Sequence, residues 1–200
     1  MVKSLRLNLG CEKEILDGWT NLDFAEPKAD INWDLNSYPY PFEDNQFEEV
    51  LASAILEHVN DFYRTMIELH RISKPGGKIY ILLPHASEII NTYGEVEHKR
   101  GFVSSTFGDA WANKELYSLF RVIKKRIVYT RCNYTFLNHV INPIVNLFPR
   151  MYERVFSGIL PCAIMVFILE VRKDKEFQDA RKKEIEQLKP LDNLKFIKEI

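Results

Sequence analysis

The chain has 200 residues, 46% of them hydrophobic, and a formal net charge of -1. That length suits one domain, or one domain with an appendage, and allows a full core. Cys11, Cys132 and Cys162 are odd in number and widely spaced, which excludes a disulfide framework or a zinc site built on thiolates. The N-terminal MVKSLRLN has no long apolar run, so a reducing, cytoplasmic location is the expectation. Residues 12–61 hold thirteen acids and two bases, whereas residues 121–150 hold six bases and no acid. The acidic half does not suit a phosphate backbone. The basic stretch suits an anionic substrate, an anionic membrane surface or plain solvent.

Leu5, Leu7 and Leu9 alternate as in a short buried strand, and a tight turn follows at Gly10-Cys11-Glu12. A second strand over 20–24 carries Asp23. A glycine turn after one strand and an acid on the next is how α/β folds hold a nucleoside, with the acid accepting from ribose hydroxyls. Residues 29–35 suggest a third strand, and 36–47, with two prolines, a loop. A buried strand is expected over 47–53 and a helix over 61–72. Lys74 to Gly77 should stop that helix before the β-prone run 78–83. Residues 84–108 read as a polar segment, 109–120 as a helix and 122–131 as a strand. The stretch 132–161 is apolar, aromatic and broken by Pro143, Pro149 and Pro161. Residues 163–171 form a clear buried strand, and 173–188 a charged surface helix stopped by Pro190. The repeated strand–connection–strand order predicts a mostly parallel sheet with helices on both faces. The fifteen uncharged residues 155–169 fall short of the roughly 20 that cross a bilayer, so a core strand is expected there. A surface-lying amphipathic helix over 141–156 is an alternative use of the neighbouring residues.

In order, LNLGCE, GWTNLD, ADINWDLN, YPFEDNQFEEVLAS with ILEHV, and LHRISKPGGKIYILLP resemble the class I S-adenosylmethionine-dependent methyltransferases. The short link before GWTN is similar to a small-methyltransferase subgroup with an abbreviated first helix. The resemblance covers roughly residues 4–108. It implies a Rossmann-like α/β fold, with a seven-stranded mostly parallel sheet flanked by helices and 163–171 as its antiparallel strand. It implies S-adenosyl-L-methionine as cofactor: Gly10 and Cys11 under the methionine part, Asp23 on the ribose diol, Asp34 and Leu35 at the adenine edge, Ala52 and Ser53 beneath the sulfonium. Two positions depart from the family pattern. Glu12 replaces a second glycine and so requires an ordinary φ; it can face the cofactor's ammonium favourably or its carboxylate unfavourably. Asn8 stands where an acid is frequent. On this reading residues 1–172 are the methyltransferase-like domain, with 132–161 as an insertion or cap and 173–200 as a tail.

His98 and Arg100, in EHKRGF, and His85 follow the strand 78–83 on the segment expected over the active site. The run resembles a His-x-Arg-x-Phe feature of the same subgroup. A histidine can take a hydroxyl proton, and Arg100 can hold an anionic group or simply clasp the loop. His58 is expected to bond to backbone. His85, Glu97 and His98 offer metal ligands, but no spacing demands a metal and none is expected. Cys11 is expected to be packed rather than nucleophilic. The expected reaction is methyl transfer to an oxygen or nitrogen of a small molecule or sugar. The alternatives are a degenerate cofactor-binding or regulatory module and, less favoured, an RNA methyltransferase using 121–131. A nicotinamide dehydrogenase is disfavoured by the missing G-x-G-x-x-G. Peripheral membrane contact through 132–161 is open, as is the oligomeric state.

Overall fold

The computed structural model describes residues 4–110, 112–131 and 134–187. Cys132, the expected helix end at Leu188 and the stop at Pro190 lie outside the described residues. Among those described, seven strands form one sheet: β1 Arg6–Leu9, β2 Thr20–Asp23, β3 Ile31–Asn32, β4 Phe47–Ser53, β5 Ser73–Pro84, β6 Phe120–Val128 and β7 Ile164–Val171. Their order is β3-β2-β1-β4-β5-β7-β6. Neighbours from β3 to β5 are parallel, and β7 runs antiparallel to both β5 and β6. This is the class I methyltransferase fold.

Period-two burial explains the sheet. Leu7 and Leu9 of β1 join Leu22, Val50, Ala52, Ile79, Ile81, Phe167 and Leu169 in one continuous core. Helix α1, Phe62–Ile72, lays Met66, Leu69 and Ile72 into it. Asp61 caps α1 by accepting from the Arg64 N–H, which satisfies a donor the helix leaves free.

The loop over 36–46 is held by Arg71 of α1. Its guanidinium donates to Glu68, Asp44 and the carbonyls of Tyr40 and Phe42, while Glu68 accepts from the Tyr40 N–H. Burial alone would raise the Glu68 carboxyl, but Arg71 and the Tyr40 N–H hold it below its ordinary value.

Helices flank the sheet, but not at its first three links. Among the described residues, the links β1–β2, β2–β3 and β3–β4 carry turns and no helix. Two buried asparagines hold the first link instead. Asn8 Nδ2 donates to the Glu14 carbonyl at 2.7 Å and to Asn21 Oδ1 at 3.1 Å. Asn21 Oδ1 accepts from the Leu16 N–H, and its Nδ2 donates to the Leu16 carbonyl. An acid at position 8 could not donate these bonds, which accounts for that departure from the family pattern.

Other elements differ in extent. Lys74 to Gly77 lies within β5 as an irregularity with Gly76 at φ 76, so α1 ends at Ser73 and not at the glycines. The expected polar segment holds a short helix, α2 Ile89–Tyr93, and the expected helix 109–120 shrinks to α3 Lys114–Leu119, capped by Asn113. The run 155–169 is not one strand: a π-turn over Tyr152–Phe156 and a bend precede β7.

Between β6 and β7 lie a short 3-10 turn, α4 Asn138–Leu147 and α5 Pro149–Met151, which continues into the π-turn. Strand β6 is a sheet edge, and α4 covers it with asparagines one turn apart. Asn138, Asn142 and Asn146 accept from the N–H groups of Thr130, Tyr129 and Ile127, and Asn138 and Asn146 donate back to the carbonyls of Thr130 and Ile127. The helix therefore turns these asparagines inward together with Val145 and Ile141. Its apolar residues Val140, Ile144 and Leu147 are exposed, followed by Phe148, Met151, Val155 and Ile159. Helix α6, Lys175–Gln187, packs on α3 through Tyr117, whose ring lies 4.0 Å from the Arg181 guanidinium carbon.

Candidate cofactor site

The parallel strands β2, β1, β4 and β5 end together. Leu9 is paired with Leu22 and Ala52, and Ser53 with Leu82. Connections leave β1 toward one side and β4 toward the other, which makes the crevice between their carboxyl ends the topological switch point where such sheets bind ligands. Gly10, Asp23 and Ser53 stand at this edge.

The N–H groups of Gly10 and Cys11 both donate to the Leu22 carbonyl, at 2.8 and 3.0 Å, and this fork turns the chain sharply out of β1. Gly10 has φ +64, a left-handed value that favours glycine. A Cβ there would also lie 2.3 Å from Ile55 Cγ1. The missing side chain thus makes room for Ile55, a demand the sequence does not reveal. Cys11 is buried; burial first, and then Asp23, pushes its thiol up to about 11. It is a packed thiol, as expected.

Asp23 is the best defined group at the edge. Its Oδ1 accepts from the N–H groups of Ala25 and Glu26, and its Oδ2 from the Glu12 N–H. Burial would raise this carboxyl, but those N–H groups outweigh it and hold the group below its ordinary value. An ionised carboxylate has about four acceptor sites, so Oδ2 keeps one for a further donor such as a ribose hydroxyl. Glu12 does not keep an ordinary φ. It sits at φ 45, in the left-handed region that the family's glycine would occupy without strain.

Asp34 caps a turn: its Oδ1 accepts from the N–H and side-chain amide of Asn36. Leu35 is buried, and its carbonyl accepts from the Tyr40 hydroxyl. Ala52 is fully buried, Ser53 is half-buried, and Ala54 beyond it is left-handed at φ 51. The turn in the β1 link and the turn after β4 therefore each contain a strained non-glycine residue, Glu12 and Ala54. Such strain concentrates where a fold positions a ligand.

The three catalytic candidates do not converge. His85 is buried under the π-turn, with Nε2 3.3 Å from Glu153 Oε1 and Nδ1 accepting from the Ser87 N–H. Glu153 also accepts from the N–H and hydroxyl of Ser104. This interior network joins the segment after β5 to the π-turn and occupies both ring nitrogens of His85. Arg100 donates to the Asn60 carbonyl at 3.0 Å and lies over the Phe62 ring. It clasps the loop to the start of α1, while Nη1 stays buried and unpartnered.

His98 meets Glu57 and His58, and not His85 or Glu97. Its ring packs against His58 with centroids 4.6 Å apart, and its Nε2 lies 3.2 Å from Glu95. Burial pushes the Glu57 carboxyl up to about 7. Burial, then His98, lowers the His58 imidazole. The expectation that His58 serves only the backbone overlooked this meeting. The signal was its place: two adjacent ligand-capable residues on the loop that follows β4.

Residues 20–81 match the methyltransferase-domain family. The chain is 40% identical over 57 residues to a 2-phytyl-1,4-naphtoquinone methyltransferase of Nostoc sp. strain PCC 7120, a match covering 28% of this chain and 25% of that protein. It is 34% identical over 84 residues to a demethylmenaquinone methyltransferase of Staphylococcus epidermidis, covering 38% and 32%. The chain thus spans about a quarter to a third of these curated relatives. A SAM-dependent methyltransferase from Archaeoglobus fulgidus superposes with a TM-score of 0.54 at 18% identity, over 82% of this chain and 85% of that one. The sheet order is that of the class I S-adenosylmethionine-dependent methyltransferase fold, and from β2 into β5 the chain is similar to the methyltransferase-domain family.

Proposed function

We propose that the protein transfers a methyl group from S-adenosyl-L-methionine to an oxygen or nitrogen of a small, largely apolar acceptor. The observation that carries this is Asp23: an ionised carboxylate fixed by three main-chain N–H groups, with an acceptor site to spare, at the switch point of the sheet. Asp23 would take a ribose hydroxyl, and the turn at Gly10 and Cys11 would carry the methionine part. Asp34 and Leu35 would border the adenine, and Ala52 with Ser53 would form the floor. The cofactor supplies a methyl already activated by a positive sulfur. The protein's part is then to hold the acceptor in line and exclude water. His98, with Nδ1 free of a protein partner, is the candidate to accept a hydroxyl proton, and Arg100 Nη1 the spare donor for an anionic group.

An apolar acceptor is favoured by the outward stripe from Val140 to Ile159, which extends over more than one helical element. With the exposed bases Lys124, Lys125 and Arg126 of β6 nearby, it suits an anionic bilayer surface from which such an acceptor is drawn. The quinones in the names of the curated relatives agree with an apolar acceptor. Among the described residues no helix is long and apolar enough to cross a membrane.

A second reading, a decayed binding module, draws on Glu12 in its left-handed position and Ile55 against Gly10. A thermal-shift panel separates the two. S-adenosylmethionine and its demethylated product should raise the melting temperature, and NAD and ATP should not, because a ligand of the folded state stabilises by mass action. No response to any of the four favours the decayed module.

A further inference from the structure

Glu57 and His58 lie on the loop between β4 and α1, and His98 comes from the loop after α2. One ligand atom from each lies within 4.8 Å of the other two. Two of these groups are buried without partners. Glu57 is 1% exposed, and its Oε2 has no hydrogen bond. The His98 side chain is 8% exposed, and its Nδ1 has none. A buried carboxylate oxygen and a buried imidazole nitrogen left bare are both costly. A hydrogen bond between them would satisfy both, yet they do not form one. A cation between them would.

The surroundings favour that cation. Glu95 Oε2 lies 3.2 Å from His98 Nε2, on the far side of the ring from the bare Nδ1, where a carboxylate would support a metal-binding histidine. The two segments are already tied. The Lys99 N–H donates to the Glu57 carbonyl at 2.9 Å, and Arg100 donates to the Asn60 carbonyl at 3.0 Å. Ligand atoms about 2.1 Å from one ion sit roughly 3 to 3.5 Å apart, so small side-chain rotations would close the site. Two imidazoles and one carboxylate select zinc or a neighbouring first-row divalent ion, and not magnesium or calcium, which take oxygen ligands.

We propose that Glu57, His58 and His98 form a three-ligand site for a divalent first-row transition metal, zinc foremost, that fastens the loop after β4 to residues 94–100. Three protein ligands leave a coordination position open, on a loop that directly follows Ser53. The binding claim does not rest on methyl transfer; in the metal-loaded protein it replaces the proton-accepting role of His98, because the Nδ1 lone pair would hold the ion, and its readout is independent of activity.

The test uses the full chain, stripped with chelator, then titrated with Zn²⁺ by calorimetry and with Co²⁺ by visible absorption. The site predicts one ion per chain and ligand-field bands for Co²⁺. His98→Ala and His58→Asn should each weaken Zn²⁺ binding at least tenfold, and Glu57→Gln, which keeps the shape, should do the same. Replacing the exposed His139 with Ala should change nothing. Circular dichroism confirms that each variant is folded, and Glu57→Gln serves if a histidine variant is not. A folded wild type that takes up neither ion, or binding lost in His139→Ala and kept in His98→Ala, would overturn the proposal.

Discussion

The main-chain N–H of Glu12 donates to Oδ2 of Asp23 at 2.9 Å, joining the turn after β1 to the acid at the end of β2. The bond orients the carboxylate but requires Glu12 to hold φ 45, which costs a non-glycine residue about 1–2 kcal/mol. Glycine would remove that strain while adding some freedom to the unfolded chain. Glu12→Gly should therefore raise stability by up to about 1 kcal/mol in urea denaturation. A loss of stability would show that the glutamate side chain has a compensating contact.

Gly10 meets two demands that a double-mutant cycle can separate. In Gly10→Ala the new Cβ would press on Ile55 at a left-handed φ, and a cost of about 2–4 kcal/mol is expected. Adding Ile55→Ala should recover the steric part and leave the backbone part. Fully additive losses in the two variants would mean that the pair does not clash.

Glu153 gives a signed pH effect. Burial raises its carboxyl, but His85 and Ser104 outweigh that and hold it below its ordinary value. A depressed carboxyl stabilises the fold above its unfolded value, and the contribution fades as pH falls through the folded one. Between neutral pH and the acid side of the carboxylate range, wild type should lose more stability than Glu153→Gln. Parallel curves from denaturation at each pH would contradict the assignment.

The asparagine cover on β6 predicts a specific weakness. Asn142 is 3% exposed and supplies the acceptor for the Tyr129 N–H at 2.8 Å. Asn142→Ala would orphan that donor, at about 1–3 kcal/mol, and loosen an edge strand that can then pair with another chain. Lower urea midpoints with faster aggregation are expected; an unchanged midpoint would show that the edge is held some other way.

The outward face of the same helix makes a separate prediction. Full-length protein should float with phosphatidylglycerol vesicles and much less with neutral ones. Ile144→Asp with Leu147→Asp should abolish flotation without lowering the melting temperature, because both side chains are exposed. Binding that survives both changes would remove the bilayer from the account.

Local patterns made the sheet readable. Alternation at Leu7 and Leu9, helical spacing at Met66, Leu69 and Ile72, and the apolar run of β7 each declare an element without help from distant residues. Asp23 was readable for the same reason, since strand, turn and acid lie within one short stretch. Contacts between distant segments were not. His85 and Glu153 are 68 positions apart, and His98 reaches back to Glu57 and His58 across α1 and β5. The inward face of α4 was not readable, because no local rule shows three asparagines sharing it with Ile141 and Val145 to serve a strand edge. Glu12 misled for a backbone reason: the turn set its φ, not the residue.

Isothermal titration of the full chain with S-adenosyl-L-methionine, wild type against Asp23→Ala, tests the central claim most directly. The account predicts saturable one-to-one binding by wild type and at least a tenfold loss in the variant, with both folded by circular dichroism. A folded wild type that releases no binding heat and shows no competition with the demethylated product would contradict it, as would equal affinity in the two proteins.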